Sequence, residues 1–203
     1  MSVTERKKKQ IIEAAMAEFQ ERGFAGASMD RISERAQVSK RTVYNHFASK
    51  EELFKAINQC LADQFNAAMD VPYNPELSVR DALLQLGRAE GDLLISPCFM
   101  NMARMIMSET IRDPNLAADM DARMTKLGVV EEFMTRATQE GKLNVPDPKL
   151  AAMQFLGLIK SRGFFPNIYA NRLATKEEMA AIIEDSVDMI VARYGAGGTA
   201  DNR

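Results

Sequence analysis

The sequence has no tryptophan, a single histidine, two cysteines and no long apolar run. A lone histidine excludes metal sites built on histidine pairs, and two cysteines in 203 residues favour reduced, packed thiols over a disulfide. A redox role for Cys60 or Cys98 is the less favoured alternative. No stretch approaches the roughly 18 apolar residues that a membrane span needs. We therefore expect no metal, no cofactor and no membrane segment.

Signatures of an enzyme are also missing. There is no glycine-rich phosphate loop, no Cys-x-x-Cys motif and no carboxylate pair that stands out from ordinary helical surface charge. A Ser/His/Asp triad would need His46, which lies inside the motif described below. The basic first ten residues lack the apolar segment of a signal peptide. We expect a cytoplasmic protein that is not an enzyme.

Positive charge is concentrated at the start of the chain, although the formal net charge is −2. Residues 1–60 hold eleven Lys/Arg against eight Asp/Glu, a balance of +3, whereas residues 61–203 hold fifteen against twenty, a balance of −5. Four basic residues precede the first predicted helix: Arg6, Lys7, Lys8 and Lys9. They either reach a DNA backbone or minor groove, or form a solvated terminus.

Residues 28–50 carry the most informative pattern, which is two short helices around a tight turn. Ser28 is the predicted N-cap of the first helix, which runs to Ala36. Its apolar side chains recur at helical spacing at Met29, Ile32 and Ala36. The turn at Gln37-Val38-Ser39 follows directly.

The second short helix has an apolar inner face and a polar outer face. Ser39 is its predicted N-cap, and Val43 and Phe47 lie four residues apart on the inner face. The outer face presents two pairs of side chains at i, i+4 spacing, which are Lys40, Arg41, Tyr44 and Asn45. Base edges in a major groove require polar groups on one helix face. The segment therefore predicts a helix-turn-helix that binds DNA.

The run from Phe24 to Phe47, followed by Ser49-Lys50-Glu51-Glu52-Leu53, closely resembles the N-terminal DNA-binding domain of the TetR/AcrR family of transcriptional regulators. The match covers about the first quarter of the chain, in the family's order and spacing. The resemblance implies an all-α protein in two parts. Residues 1–49 would form a three-helix DNA-binding domain, and residues 50–203 a helical ligand-binding and dimerisation domain.

Motif and resemblance together assign DNA contacts to nine side chains. Tyr44 is expected on a phosphate, with packing as the alternative, and the resemblance gives His46 a phosphate or packing role. The resemblance also places Lys50 on the DNA backbone, at the positive start of a fourth helix, the alternative being an exposed lysine without a partner. The predicted set is Ser28, Ser39, Lys40, Arg41, Thr42, Tyr44, Asn45, His46 and Lys50.

Helical periodicity extends through the rest of the chain, with no strand pattern. A supporting first helix has a predicted buried stripe and ends at Gly23; the stripe consists of Ile12, Ala15, Met16 and Phe19. The rest of the chain divides into further helices. Their starts are marked by capping signals at Ser49/Glu52, Ser78 and Thr175, and their ends by proline and glycine residues. The predicted helices lie near 50–70, which connects the domains, 78–95, 98–112, 115–140, 148–165 and 175–194. The tail 195–203 is predicted to fray.

A methionine-rich segment is the candidate ligand-binding region. Residues 98–107 hold four of the 14 methionines and are apolar on nearly every side, which predicts a helix surrounded by others. Thioethers suit an adaptable cavity or fill a core, and the resemblance favours the cavity. Candidate apolar walls are Phe99, Met102, Met105, Ile106, Phe133, Phe155 and Phe164, and candidate polar anchors are Asn101, Arg104 and Glu109. Arg104 and Glu109 form a structural ion pair in the alternative interpretation.

The last two predicted helices carry stripes that suit an association surface, with monomer core as the alternative. One stripe holds Leu150, Met153, Leu156, Gly157, Lys160 and Phe164, and the other Met179, Ile182, Ile183, Ser186, Ile190 and Tyr194. A single helix-turn-helix usually binds a half-site, so we expect two-fold pairing. The predicted interface is Met153, Leu156, Lys160, Met179, Ile182, Ile183, Ser186 and Ile190.

The expected function is sequence-specific transcriptional regulation. A homodimeric repressor would bind a palindromic operator in double-stranded DNA and release it when a small apolar or amphipathic inducer enters the C-terminal domain. The alternative is an architectural or nonspecific DNA-binding protein with a helical association domain and no ligand. An enzyme with an appended DNA-binding domain would need a catalytic constellation that the sequence lacks.

Overall fold

The computed structural model describes residues 2–117, 123, 124, 126 and 128–196, and within them the chain is helical without a β-strand. The helices are α1 Val3–Gly26, α2 Met29–Arg35, α3 Lys40–His46, α4 Lys50–Ala68, α5 Val79–Leu94, α6 Pro97–Arg112, α7 Val129–Gln139, α8 Pro148–Gly163, α9 Phe165–Ala170 and α10 Lys176–Tyr194. A 3-10 turn, Pro114–Ala117, follows α6. The all-α fold class is confirmed. None of the described helices is both long enough and apolar enough to cross a membrane.

The chain packs as two compact units. The first comprises Met1–Asp63 and Asn101–Arg123, and the second comprises Gln64–Met100 and Met124–Arg203. The first unit therefore holds the helix-turn-helix, most of α4 and most of α6. The predicted functional boundary after residue 49 stays a prediction.

The core of the first unit is built on α1. The side chains of Ile11, Ala15 and Phe19 are buried, and the Phe19 ring centroid lies 5.4 Å from that of Phe24. The predicted stripe was wrong at Ile12 and Met16, which are half-buried. Two adjacent isoleucines give two stripes of equal period, so periodicity alone does not choose the helix rotation.

Both ends of α1 differ from the prediction. Ser2 and Glu5 form a capping box, so α1 begins at Val3 and the basic residues 6–9 lie inside the helix. Gly23 adopts φ 69°, a left-handed conformation that favours glycine, and one further helical turn continues to Gly26.

The core of the second unit is formed by α5, α8 and α10, with α7 and α9 packed on α8. Two glycines of α5 allow α10 to approach closely. A Cβ atom on Gly87 would lie 2.7 Å from Cγ2 of Ile183, and one on Gly91 would lie 2.8 Å from Cδ1 of the same side chain. Both distances are shorter than van der Waals contact, so these positions require glycine for this packing.

Three segments depart from the predicted helix bounds. The continuous helix predicted over 115–140 was wrong, because α7 begins only at Val129, after Gly128; residues 118–122 lie outside the described residues. The short helix α9 was missed because Pro166 suggested a break, although proline suits the first turn of a helix. In the predicted frayed tail, the Ala196 N–H donates to the Lys142 carbonyl at 3.4 Å, and residues 197–203 lie outside the description.

Candidate DNA-binding surface and ligand cavity

The helix-turn-helix is fixed by the two predicted serine caps. The Ser28 hydroxyl accepts the Arg31 N–H at 3.2 Å, and the Ser39 hydroxyl accepts the Thr42 N–H at 3.1 Å. Between the two helices Gln37 adopts φ 54°, the left-handed conformation that makes the turn tight. Ser28 and Ser39 thus orient the helices through their own backbones, which confirms their capping role.

The outer face of α3 is exposed as predicted. Val43 is fully buried and Phe47 nearly so, and these inner side chains fix the rotation of the helix. The predicted polar set therefore lies together on the opposite, exposed side: Lys40, Arg41, Tyr44 and Asn45. Of the other predicted contacts, Thr42 and His46 are half-buried.

Lys40 is engaged by an acidic residue that the sequence analysis missed. Its ammonium lies 2.6 Å from the Asp30 carboxylate, which belongs to the first turn of α2. The hydrogen bond to Asp30 raises the pKa of Lys40, so the lysine stays charged. Asp30 appeared in the sequence only as a favourable acidic residue at a helix start. Its carboxylate puts negative charge beside the face that we assign to DNA.

Lys50 makes contacts within the protein that the sequence did not predict. Its ammonium donates to the Phe24 carbonyl at 2.9 Å and the Ala25 carbonyl at 3.2 Å, and it lies 4.8 Å from the Phe24 ring centroid. The alternative of an exposed lysine without a partner was wrong, because α4 begins beside the last turn of α1. The phosphate contact stays a prediction.

A buried carboxylate joins α1 to α2. Glu18 is 1 % exposed, and its Oε1 accepts from Arg31 Nε at 2.5 Å, while the Arg31 guanidinium also donates to the Gly26 carbonyl. An ionised carboxylate is buried at tolerable cost only when it is paired in this way. The sequence signal was a glutamate on the apolar side of α1, one residue before Phe19.

The α6 helix is less completely buried than predicted. The apolar candidates Phe99, Met102, Met105 and Ile106 are buried, but Asn101, Ser108 and Ile111 are exposed. Asn101, Arg104, Ser108 and Ile111 recur at helical spacing, so α6 has one wet stripe. The expectation of a helix surrounded by others was therefore wrong.

The predicted polar anchors on α6 have partners close by on the same helix. The Arg104 guanidinium donates to the Asn101 side chain at 3.0 Å. The buried Glu109 accepts from Arg112 at 2.8 Å, and the suggested pairing of Arg104 with Glu109 stays a prediction. The remaining aromatic candidates lie in the second unit, where Phe155 is fully buried and Phe164 packs against Phe165 at 5.3 Å between ring centroids.

A cavity of about 350 Å³ lies in the second unit, between the segment after α4 and the first turns of α5 and α7. Of the predicted ligand residues in the described chain, Phe133 alone lines it. The other lining residues are Asp70, Val71, Pro72, Tyr73, Asn74, Leu77, Ala82, Gln85, Leu86, Lys126, Val129, Glu132 and Arg136. In the sequence, the Pro72-Tyr73-Asn74-Pro75 run signalled only a helix break, so these residues were missed.

The predicted dimer interface was wrong on α10. Its whole stripe is at most 6 % exposed within a single chain: Met179, Ile182, Ile183, Ser186, Ile190 and Tyr194. These side chains pack on α5 and α8 of their own chain, so they are core and not association surface. On α8, Met153 is exposed, Leu156 is half-buried, and the Lys160 ammonium lies 3.2 Å from the buried Glu90 carboxylate.

A different face of α8 and α10 is exposed and partly apolar. Met153 and Met189 are 63 % and 53 % exposed, and Leu150 is exposed as well. A groove on these helices is lined by Gln154, Gly157, Leu158, Ser161, Met189, Ile190 and Arg193. Exposed large apolar residues grouped on one face are typical of association surfaces.

The capped helix-turn-helix with a polar face on its second helix defines a DNA-binding protein. Two family models match the chain, "Bacterial regulatory proteins, tetR family" at residues 11–57 and "AefR-like transcriptional repressor, C-terminal domain" at residues 81–196. The second match spans more than half of the chain, so the chain belongs to the TetR family of transcriptional regulators. These regulators are not enzymes, as the sequence predicted.

Individual relatives agree with this assignment. The transcriptional regulator UidR of Escherichia coli K12 is 30% identical over 177 residues, which cover 84% of this chain and 85% of UidR. A TetR family regulator from Pseudomonas syringae pv. tomato DC3000 has 38% identity and a TM-score of 0.81, covering 93% of this chain and 96% of its own. The flavonoid-responsive regulator FrrA has 28% identity and a TM-score of 0.72, and the match covers 94% of this chain and 97% of FrrA.

Proposed function

We propose that the protein is a homodimeric repressor that binds a palindromic operator and leaves it when a small molecule occupies the second unit. The exposed polar face of α3 carries the DNA-binding part of this proposal, because its four side chains leave the helix together above a buried Val43. The sign of regulation is supported by the match of residues 81–196 to an AefR-like repressor domain.

Pairing of two chains is supported by the exposed face of α8 and α10. One recognition helix reads one half-site, and a two-fold dimer presents two such helices to half-sites about 34 to 36 Å apart. Met153 and Met189 expose apolar area to water in a single chain, and pairing would bury that area, which is favourable. We assign the dimer interface to this face in place of the buried stripe on α10.

Control by a small molecule is supported by the cavity in the second unit and by the name of a relative. FrrA is described as flavonoid-responsive. A ligand releases the operator only if it binds more tightly to the released conformation than to the DNA-bound one. A coupling of about 1 to 3 kcal/mol lowers operator affinity by about 5- to 150-fold.

Footprinting of the full-length protein on the DNA upstream of its own gene tests the proposal. We expect two protected half-sites related by two-fold symmetry, with centres about one helical turn apart. A shuffled duplex of the same composition is the control. Equal binding to both duplexes would favour the architectural alternative, in which DNA is bound without sequence preference.

A further inference from the structure

Two ion pairs balance the charges of the described residues that line the cavity. The Lys126 ammonium lies 2.7 Å from the Asp70 carboxylate, and the Arg136 guanidinium lies 2.6 Å from the Glu132 carboxylate. All four side chains line the cavity. Both pairs are largely exposed, and each keeps a carboxylate beside the cation that would attract an anionic guest. A cationic guest meets the same obstacle from Lys126 and Arg136, so the lining favours an uncharged guest.

The cavity also has an aromatic wall held in a fixed position. The Tyr73 ring centroid lies 5.9 Å from that of Phe133, and the Arg136 guanidinium lies over the Tyr73 ring at 5.3 Å. The segment that carries Tyr73 is tied down by Lys142, whose ammonium donates to the Pro75 carbonyl at 2.5 Å. The two ring planes are tilted by 49°, so an aromatic guest can stack on one ring and meet the other with its edge, and rings already fixed by their neighbours need little ordering when the guest binds.

The apolar floor and one uncommitted amide complete the lining. Ala82, Leu86 and Phe133 are buried and close the bottom of the cavity. Gln85 is an exposed side chain at the cavity lining, and its amide, which has no hydrogen bond within the described part of the chain, can exchange solvent for a polar group of a guest. The volume of about 350 Å³ lies within the usual range for small-molecule sites.

We propose that this cavity binds an uncharged amphipathic molecule with an aromatic ring, with the ring against Tyr73 and Phe133 and a polar group at Gln85. The inference rests on the proposed function, because this molecule would be the signal that releases the operator. It moves the ligand site away from the methionines of α6, none of which lines this cavity.

Two fluorescent probes of similar shape test the ligand class on the full-length protein. N-phenyl-1-naphthylamine is uncharged, and 1-anilinonaphthalene-8-sulfonate carries one negative charge. We expect the uncharged probe to bind with one site per chain and at least about tenfold more tightly than the anion, a factor measured directly from the titrations. Equal or tighter binding of the anionic probe overturns the proposed class.

Val129→Trp tests the location, since Val129 is half-buried in the cavity lining and the indole would fill the space. We expect this variant to lose binding of the uncharged probe by about tenfold or more. Leu173→Trp is the matched control, because Leu173 is equally half-buried and lies outside the lining. Equal effects of the two variants overturn the location. Circular dichroism shows that each variant is folded.

Glu132→Gln provides an independent test that does not depend on filling space. The change removes the carboxylate paired with Arg136, so the anionic probe should gain about tenfold in affinity relative to the uncharged probe. Glu131→Gln is the control, because Glu131 is a neighbouring exposed glutamate outside the cavity lining. A gain in the control equal to that in Glu132→Gln overturns the role of the balanced charges.

Footprints of each variant separate this inference from the proposed function. Loss of probe binding in Val129→Trp with an intact footprint is the result we expect. Absence of probe binding in the unmodified protein, with a normal footprint, overturns the cavity assignment and leaves DNA recognition standing. Probe binding without an operator footprint overturns the proposed function and supports the cavity.

Discussion

At the scale of single residues, two lysines of the DNA-binding unit are already bound within the protein. Lys40 pairs with Asp30 at 2.6 Å, and Lys50 donates to the carbonyls of Phe24 and Ala25. We infer that the ion pair holds Lys40 away from phosphate and that the carbonyl contacts make Lys50 a positioning residue.

Asp30→Asn should strengthen binding to all DNA. The change removes a negative charge beside the α3 face and frees Lys40 for a phosphate, so the slope of binding against salt should steepen by about one unit. Titrations on operator and random duplex over a series of salt concentrations measure this. Glu34→Gln is the control, since Glu34 is also exposed on α2 and its charge acts on Lys40 without the hydrogen bond that Asp30 makes. A steeper slope in both variants, or in neither, contradicts the role given to Asp30.

Lys50→Met should lower stability without changing the salt slope. The variant keeps an apolar stem over the Phe24 ring but removes the donor for two carbonyls, at a cost of about 1 kcal/mol. Thermal unfolding and the same DNA titrations measure both effects. Lys55→Met, at an exposed position on α4, is the control. A slope flatter by about one unit, with stability unchanged, would instead establish the phosphate contact.

At the scale of helices, the sequence near a helix end was enough to predict its cap, but it did not predict which other helix packs against it. Ser28, Ser39 and Thr175 cap helices as predicted, because a cap is made within four residues of its helix. The stripe on α10 was correctly apolar, but periodicity does not tell whether α5 of the same chain or a second chain covers it. Gly87 and Gly91 of α5 leave space for Ile183, so α5 of the same chain covers the stripe.

The candidate ligand site could not be predicted from the sequence for a related reason. Tyr73 and Arg136 are separated by more than sixty residues in sequence and meet only in the folded unit. Tyr73 lies in a segment that carried turn signals, and Arg136 on a helix whose start was misplaced. Phe133 was the exception, because a large aromatic residue on an amphipathic helix marks a buried position from sequence alone.

The buried Glu90 of α5 should make stability fall as the pH rises. Burial raises the pKa of Glu90 above its ordinary value of 4.5, against the opposing effect of Lys160. The folded protein therefore releases the Glu90 proton at a higher pH than the unfolded chain does, so the free energy of unfolding falls as the pH rises through the raised pKa.

Glu90→Gln should remove this component of the pH dependence. The amide has the same shape but no charge to bury. The stability of the variant relative to the unmodified protein should therefore be higher at about pH 8 than at about pH 5. Thermal unfolding at both values measures the difference. Asp92→Asn is the control, because Asp92 is an exposed carboxylate on the same helix. Identical pH profiles for the unmodified protein and Glu90→Gln would show that Glu90 stays ionised.

At the scale of the whole molecule, the proposed regulation requires two chains. The first unit carries the polar face of α3, and the second carries the cavity and the exposed face of α8 and α10. In the proposed dimer, a ligand would act on the operator by changing the fit of two recognition helices to two half-sites, so the pairing of chains would transmit the signal.

Met153→Glu combined with Met189→Glu should separate the dimer without unfolding the chain. Both side chains are exposed in a single chain and buried in the proposed dimer, where two unpaired carboxylates cost several kcal/mol. Sedimentation measures association and circular dichroism measures folding. Ile111→Glu is the control, since Ile111 is exposed on α6 in the other unit. A double variant that still sediments as a dimer would place the interface elsewhere.

Sequence-specific recognition by α3 is tested most directly by Arg41→Ala, measured on operator and random duplexes at several salt concentrations. A side chain that contacts a base edge contributes about 1 to 3 kcal/mol of discrimination, whereas a phosphate contact contributes equally on every sequence. We expect Arg41→Ala to weaken operator binding by about 5- to 150-fold, to relax preference at one base step and to change random-duplex binding far less. Equal loss on both duplexes would contradict base recognition by this face.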